Sequence, residues 1–505
     1  MVTVAKPQRI TAILKRLAFA VTCSFLFFQA WLKFTTNLQR PPRGQPSQFA
    51  IDFERDSFTL AGEPVRILSG SLHYFRTPRE LWMERLTYAR AAGLNTIDTF
   101  VEWSSHEPEE GHFDFRGQQD LVTFLEMAHN LSLMVILRPG PYIGAERDMG
   151  GLPYWLLRKD PGISLRTMDT TYIKFADRYL TELFKRIKHL LVRNGGPIIM
   201  VQVENKYGLS RECNRTYLRH LRDLMRQELG SDAALFTTDR FGVGAVPCGR
   251  VEGVFPAIAF GAAANVSEVF ATLRLYQERG PLFVSELYTG WYDRWAMPHK
   301  HVDRVMVAST LRQVLLAGAS VNLYMFHGGT SFGFSTGAYM VSAAGRKGEF
   351  LYRPLVTSYD FGGPLTEDGD PNKLFVAVRH VISEAHGLML YDATLTYQPH
   401  EPAMLSVEGI RDSGYVYVDG SRTDTFLRPD QKTKGIAFLN GFNLGRYWPA
   451  RGPQKTLYVP RTLFRKKNLL VLVELEGGFY RGGKPPVVHF EDKPELHGTV
   501  HKMDE

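Results

Sequence analysis

From about Phe49 to Gly387 the chain alternates short apolar runs rich in β-branched residues with amphipathic helical runs. That alternation leaves few architectures open, because strands that recur singly between helices pair in parallel and are covered on their outer faces. Eight such runs can be counted: Arg66 to His73, Thr96 to Phe100, Met134 to Leu137, Ile198 to Glu204, Leu235 to Asp239, Val254 to Ala259, Leu282 to Leu287 and Val321 to Phe326. Between the third and fourth, Ile173, Ala176, Leu180, Leu183, Phe184, Ile187, Leu190 and Leu191 recur at helical spacing and predict the buried face of an outer helix. Eight βα units predict an α/β fold closed as a (β/α)8 TIM barrel, with its active site at the C-terminal ends of the strands. The fourth and seventh strands then end at Glu204-Asn205-Lys206 and at Glu286. After a polar stretch around Thr396 to Met404 the helical period stops, and Gly and Pro punctuate short β runs, which predicts a separate, smaller β domain.

The 505 residues, 44% of them hydrophobic, suffice for one barrel-sized core and a smaller second one. Expected boundaries are a basic flank at 1–16, an apolar segment at 17–32, a linker at 33–48, the barrel at 49–390, a linker at 391–404 and the β domain at 405–505. Leu17 to Leu32 carries no charge and follows Lys6, Arg9, Lys15 and Arg16, the order expected of a signal anchor or signal peptide with a cytoplasmic N-terminus. The bulk of the chain is therefore expected in the secretory pathway, luminal or extracellular. It would be membrane-anchored as a type II protein, or secreted or lysosomal if the segment is cleaved. Cys23 lies inside that segment and leaves Cys213 and Cys248, which an oxidising compartment would allow to pair. Sequons at Asn130, Asn214 and Asn265 agree with the same route. The formal charge of +8 is spread along the chain without a nucleic-acid motif, so it reads as solvated surface. No paired ligand spacing points to a metal, and no cofactor is expected.

Two runs carry chemistry. One is Pro281-Leu-Phe-Val-Ser-Glu286-Leu-Tyr288-Thr-Gly-Trp291, and the other is Gly195-Gly-Pro-Ile-Ile-Met-Val-Gln202-Val-Glu204-Asn205-Lys206-Tyr207-Gly208. Both resemble glycoside hydrolase family 35, the lysosomal-type β-galactosidases and β-galactosidase-like proteins, and the resemblance covers most of residues 50–390 and 405–476. It implies cleavage of terminal non-reducing β-D-galactosides of glycans or oligosaccharides by retaining double displacement. That mechanism sets two carboxyl groups roughly 5 to 5.5 Å apart, one as nucleophile and one as acid then base. Glu286 matches the nucleophile. The family's proton donor is the Glu that follows Asn in a Gln-x-Glu-Asn-Glu-Tyr run, and here that position is Lys206.

The resemblance also implies a sugar pocket at Ala145 and Glu146, in Arg138-Pro-Gly-Pro-Tyr-Ile-Gly-Ala145-Glu146, with Asn205, Tyr288, Tyr324 and Tyr359. It implies a Cys213–Cys248 disulfide, scaffold roles for His73 and His106, and a jelly-roll-like C-terminal domain, carried by Gly435 to Trp448. A further β domain that the family places before the jelly roll is mostly missing. Where the family has Thr-Tyr-Val-x-Trp-Asn, this chain reads Thr99-Phe100-Val101-Glu102-Trp103-Ser104, and Arg147 replaces an aromatic. Each lost polar contact to a buried sugar oxygen costs on the order of 1 to 3 kcal/mol.

An ammonium at residue 206, between Glu286 and Glu146, is expected to hold its proton too tightly to be an acid and to be no base for the water step. Loss of general acid/base assistance forfeits about 10² to 10⁴ in rate. Strand periodicity would put Gln202, Glu204 and Lys206 on one inward face, with Glu204 about 6.5 Å too deep to substitute. Schiff-base chemistry at Lys206 would need an apolar pocket that the sequence does not provide. Two readings follow: an impaired β-galactosidase-type hydrolase, or a catalytically inactive galactoside-binding or scaffold protein of the secretory pathway.

Overall fold

The computed structural model describes residues 47–210, 212–242, 245–342, 350–385, 425–429, 434–465, 467–474, 488–491 and 493–497. The apolar segment 17–32, with Cys23, and the linker 391–404 lie outside them. Among the described residues no helix is long and apolar enough to cross a membrane.

All eight expected strands form and close into one parallel barrel: β1 (Leu68–Leu72), β2 (Thr96–Phe100), β3 (Met134–Arg138), β4 (Ile198–Gln202), β5 (Leu235–Arg240), β6 (Phe255–Gly261), β7 (Phe283–Tyr288) and β8 (Ser320–His327). Each pairs with its neighbours in chain order, and β8 pairs with β1. Nearly every strand residue is buried, as parallel strands covered on both faces require.

The expected outer helix is α1 (Thr170–Ile187). Asp169 caps it by accepting from the Tyr172 N–H at 2.9 Å, and Phe175, Ala176, Tyr179, Leu180, Leu183, Phe184 and Ile187 form its buried stripe. Leu190 and Leu191 follow the helix in a tight turn instead of extending it. After β4 comes α2 (Arg215–Leu229). Between β5 and β6 the described residues form a four-residue helix, Val246–Gly249, and the Cys213–Cys248 disulfide ties it to the chain just before α2.

A three-stranded antiparallel sheet (Phe49–Asp52, Ser57–Leu60, Glu63–Val65) closes the N-terminal end of the barrel. Its Phe49, Phe58 and Leu60 pack with Ile136, Phe236, Phe255 and Phe283 in a core separate from the main one. Phe58 stands edge-on to Phe255 at 5.6 Å and to Phe283 at 5.9 Å. This apolar plug leaves the opposite, C-terminal face as the open one.

The described C-terminal strands form two three-stranded antiparallel sheets around Leu427, Ala437, Leu439, Leu444, Tyr447, Leu457 and Val459. They dock on the barrel. Arg446 donates to Thr336 O at 2.6 Å, Thr357 Oγ1 donates to Arg446 O at 2.6 Å, Gln454 Oε1 accepts from Ser358 N at 3.1 Å, and Phe332 meets Phe442 at 5.1 Å.

Candidate active site

Strand β4 ends at Gln202, not at Glu204 as the periodicity suggested. Glu204 (φ 59°) and Lys206 (φ 49°) are both left-handed, so the alternation that would align residues 202, 204 and 206 is broken. Glu204 turns aside. Its Oε1 accepts from Arg166 Nε at 3.1 Å and Tyr217 Oη at 2.9 Å, and its Oε2 from Arg166 Nη2 at 2.7 Å. Ala145 (φ 48°) and Glu146 (φ 58°) are left-handed too, so the loops after β3 and β4 both hold side chains in a conformation L-residues resist.

Lys206 reaches the end of β7. Its Nζ lies 2.7 Å from Glu286 Oε2, and 5.3 and 5.7 Å from the ring centres of Tyr288 and Tyr324. The contact with Oε2 is an ion pair. Burial alone would lower the lysine pKa. The carboxylate of Glu286 outweighs it and holds the ammonium well above its usual range, as the sequence led us to expect.

Glu286 is fully buried. Burial would raise its pKa, but Lys206 and Arg138 pull it below the usual carboxylate value, so it is an anion at neutral pH. Its Oε1 accepts from Arg138 Nη1 at 2.8 Å, while Arg138 Nη2 donates to Ser285 O at 2.6 Å and Nε pairs with Asp98. Asp98 accepts from Ser71 Oγ at 2.7 Å, and Ser71 Oγ accepts from Asn322 Nδ2 at 2.8 Å. These supporting residues were not among the expected ones. The available signal was polar residues (Asp98, Arg138, Asn322) inside otherwise apolar barrel strands.

The remaining expected residues gather around this pair. Glu146 accepts from Tyr339 Oη at 2.6 Å on one oxygen and from Tyr359 Oη on the other, and Tyr324 Oη is 3.2 Å from Tyr359 Oη. Tyr339, absent from the sequence reading, comes from the strand Ala338–Ser342. Ala145 O accepts from the buried Arg76, whose guanidinium lies 3.7 Å over the Tyr359 ring. Burial pushes the Tyr288 hydroxyl up to about 12, against the lysine's pull, so it stays neutral. The amide of Asn205 is engaged within the protein: Nδ2 donates to Ile143 O at 2.6 Å and Oδ1 accepts from Gln202 Nε2 at 3.1 Å.

Phe100 is buried between His73 (5.3 Å) and the Arg138 guanidinium (5.1 Å). Arg147 is neutralised by Glu102, with Nε to Oε1 at 2.5 Å and Nη2 to Oε2 at 2.7 Å. Glu102, Ser104 and Arg147 line a cleft of about 210 Å³ beside the site. A larger cavity of about 970 Å³ runs along the barrel flank by Phe53, Arg219 and Tyr276 and contains none of these groups, so volume does not mark the site here. The glycine of Tyr288-Thr-Gly-Trp291 has a steric reason, because a Cβ on Gly290 would stand 1.7 Å from Phe361 O.

Asn214 and Asn265 both cap helices through their side-chain oxygens, and Asn130 ends one. Among the described residues no group of His, Cys, Asp and Glu could hold a metal ion.

The model for Glycosyl hydrolases family 35 matches residues 57–385, and that for the Beta-galactosidase, galactose-binding domain matches 388–468. The Beta-galactosidase-1-like protein of Mus musculus is 36% identical over 620 aligned residues, covering 91% of this chain and 94% of its own. The Beta-galactosidase of Homo sapiens is 33% identical over 628, covering 90% and 91%. Both alignments are longer than the 505-residue chain, so these relatives hold stretches with no counterpart in it. The solved β-galactosidase of the psychrophilic Marinomonas ef1 is 14% identical with a TM-score of 0.45, over 64% of this chain and 61% of that one, a likeness too low to add to the fold assignment. With a closed eight-stranded barrel that brings Lys206, just after β4, against Glu286 near the end of β7, and a family match over most of its length, the chain belongs to glycosyl hydrolase family 35.

Proposed function

We propose that the chain is a retaining β-galactosidase-type hydrolase whose nucleophile, Glu286, is intact and whose proton transfer is disabled at Lys206. The observation that carries this reading is the 2.7 Å ion pair between Lys206 Nζ and a fully buried, doubly paired Glu286. The family supplies the substrate class, terminal β-D-galactosides. Glu146, Asn205, Tyr288, Tyr324 and Tyr359 are proposed to receive the sugar, with Ala145 at its edge and Phe100 beneath. The Cys213–Cys248 disulfide and the three sequons support a luminal or extracellular site of action.

A second reading, a galactoside-binding protein without turnover, is favoured by the same ion pair, which occupies the nucleophile. Incubation of the purified full chain with a 2-deoxy-2-fluoro-β-galactoside bearing a good leaving group, followed by peptide mass spectrometry, separates the two. That reagent needs no acid assistance. An adduct on Glu286 supports the impaired enzyme, and a folded protein without adduct supports the binding protein.

A further inference from the structure

Among the described residues no free carboxylate replaces the lost acid/base. Glu204 is held by Arg166 and Tyr217, Glu146 by Tyr339 and Tyr359, and Glu102 by Arg147. His73 is buried, engaged through Nδ1 with Arg76, and kept neutral by burial and its arginine neighbours. What stands at the acid position is a fixed cation, 27% exposed and therefore reachable from the mouth, touching the oxygen of Glu286 that Arg138 does not hold. A site with a live nucleophile, a cation where the leaving atom departs and no proton carrier suits leaving groups and acceptors that are already anions.

We propose that this site transfers β-galactosyl groups between oxyanions, taking them from anionic leaving groups such as carboxylates and giving them to anionic acceptors such as phosphate or carboxylates. The proposal rests on Glu286 being the nucleophile. In the first step Glu286 Oε2 attacks the anomeric carbon of a β-galactosyl carboxylate. The C1–O bond breaks, its electron pair leaves with the carboxylate, and Lys206 shifts its charge from Glu286 to the departing oxygen while no proton moves. In the second step an oxygen of hydrogen phosphate attacks the same carbon and expels the Glu286 carboxylate. The balance is β-galactosyl carboxylate plus hydrogen phosphate giving β-galactosyl phosphate plus carboxylate, with configuration retained by two inversions. Water is a poor acceptor because nothing takes its proton.

The test uses the full chain with 2,4-dinitrophenyl β-D-galactoside, which leaves as a phenolate, in the presence and absence of inorganic phosphate, formate and azide at constant ionic strength. We expect these anions to accelerate phenolate release at least about tenfold, given the 10² to 10⁴ that acid/base assistance supplies, with β-galactosyl products of the anion seen by NMR. Lys206→Ala should lose most of that acceleration at low anion concentration, since the cation that gathers the acceptor is gone. If anions change the rate by less than twofold, or if Lys206→Ala responds as strongly as the native chain, the proposal is overturned. The 2-fluoro adduct on Glu286 distinguishes that failure from failure of the underlying reading: adduct without anion transfer sinks only this proposal, and no adduct sinks both.

Discussion

Lys206→Glu should convert this chain into a hydrolase of unactivated β-galactosides, and the structure sets the size of the gain. The backbone at 206 needs no adjustment. Its N–H donates to Thr238 O at 3.1 Å, Tyr207 Oη donates to Arg166 O at 2.9 Å, and the left-handed φ of 49° costs Lys and Glu alike because neither is β-branched. Restored acid/base assistance is worth about 10² to 10⁴. We expect the lower end, about 10², because, on the proposed function, a phenyl ring at Phe100 and a short hydroxyl at Ser104 would forgo sugar contacts worth on the order of 1 to 3 kcal/mol each. The introduced carboxyl would sit beside anionic Glu286, which raises its pKa and keeps it protonated in mild acid. Glu286 keeps Arg138 but loses the pull of Lys206, so its own pKa moves up. Activity should fall as pH rises through the new acid's pKa and as it drops through that of Glu286, giving a bell. Initial rates on lactose and on 2,4-dinitrophenyl β-galactoside, from pH 3 to 8, check this. In kcat/KM, which reports the first step alone, the gain must be confined largely to lactose, whose leaving group needs the proton, while turnover of both substrates rises because the water step regains its base. An equal gain in kcat/KM on both substrates, or none on lactose despite a Glu286 adduct, would refute the reasoning.

Removing Arg138 by Arg138→Leu leaves Asp98 buried without its cation and deprives Glu286 of one of two, so urea denaturation should show a loss of about 3 to 5 kcal/mol; a change under 1 kcal/mol would mean the network is not structural. Asp239, buried and accepting from Gly208 N at 2.8 Å, is pushed up to about 8, mainly by burial. The native state therefore binds a proton that the unfolded chain has released between about pH 4 and 8, and stability must fall as pH rises through that window. Melting temperatures at pH 5 and 8 should accordingly show the native chain losing more than Asp239→Asn over that interval, and equal losses would contradict the shift. Opening the Cys213–Cys248 link with Cys213→Ser frees a loop closed over 35 residues and should cost about 4 kcal/mol by chain entropy, read as a lower denaturation midpoint that reducing agent does not lower further.

The barrel was legible because parallel strands buried on both faces are apolar throughout and separated by helical periods, and that pattern survives without knowledge of contacts. The run around Glu286 was legible by its resemblance to the family, and the structure adds a steric reason for one of its residues, Gly290. Glu204 was misread. Strand alternation was extended two residues past the end of β4, and nothing local announces that Glu204 and Lys206 adopt positive φ. The pairing of Glu102 with Arg147 was equally hidden. Arg147 looks damaging when taken alone, and only the fold brings Glu102 within 2.5 Å to neutralise it. Arg138 was passed over because its partners, Asp98 and Glu286, are 40 and 148 residues away in sequence.

The turn that presents residue 206 is built by other residues: Thr238 holds its amide, Arg166 and Tyr217 anchor the side chain two positions before it, and Arg166 receives Tyr207. Position 206 therefore contributes its charge to the mouth while contributing little to the shape of the loop. Lys and Glu codons differ by one base. On the proposed function, one base change at codon 206 would exchange a fixed cation for a proton donor without disturbing the turn that carries it.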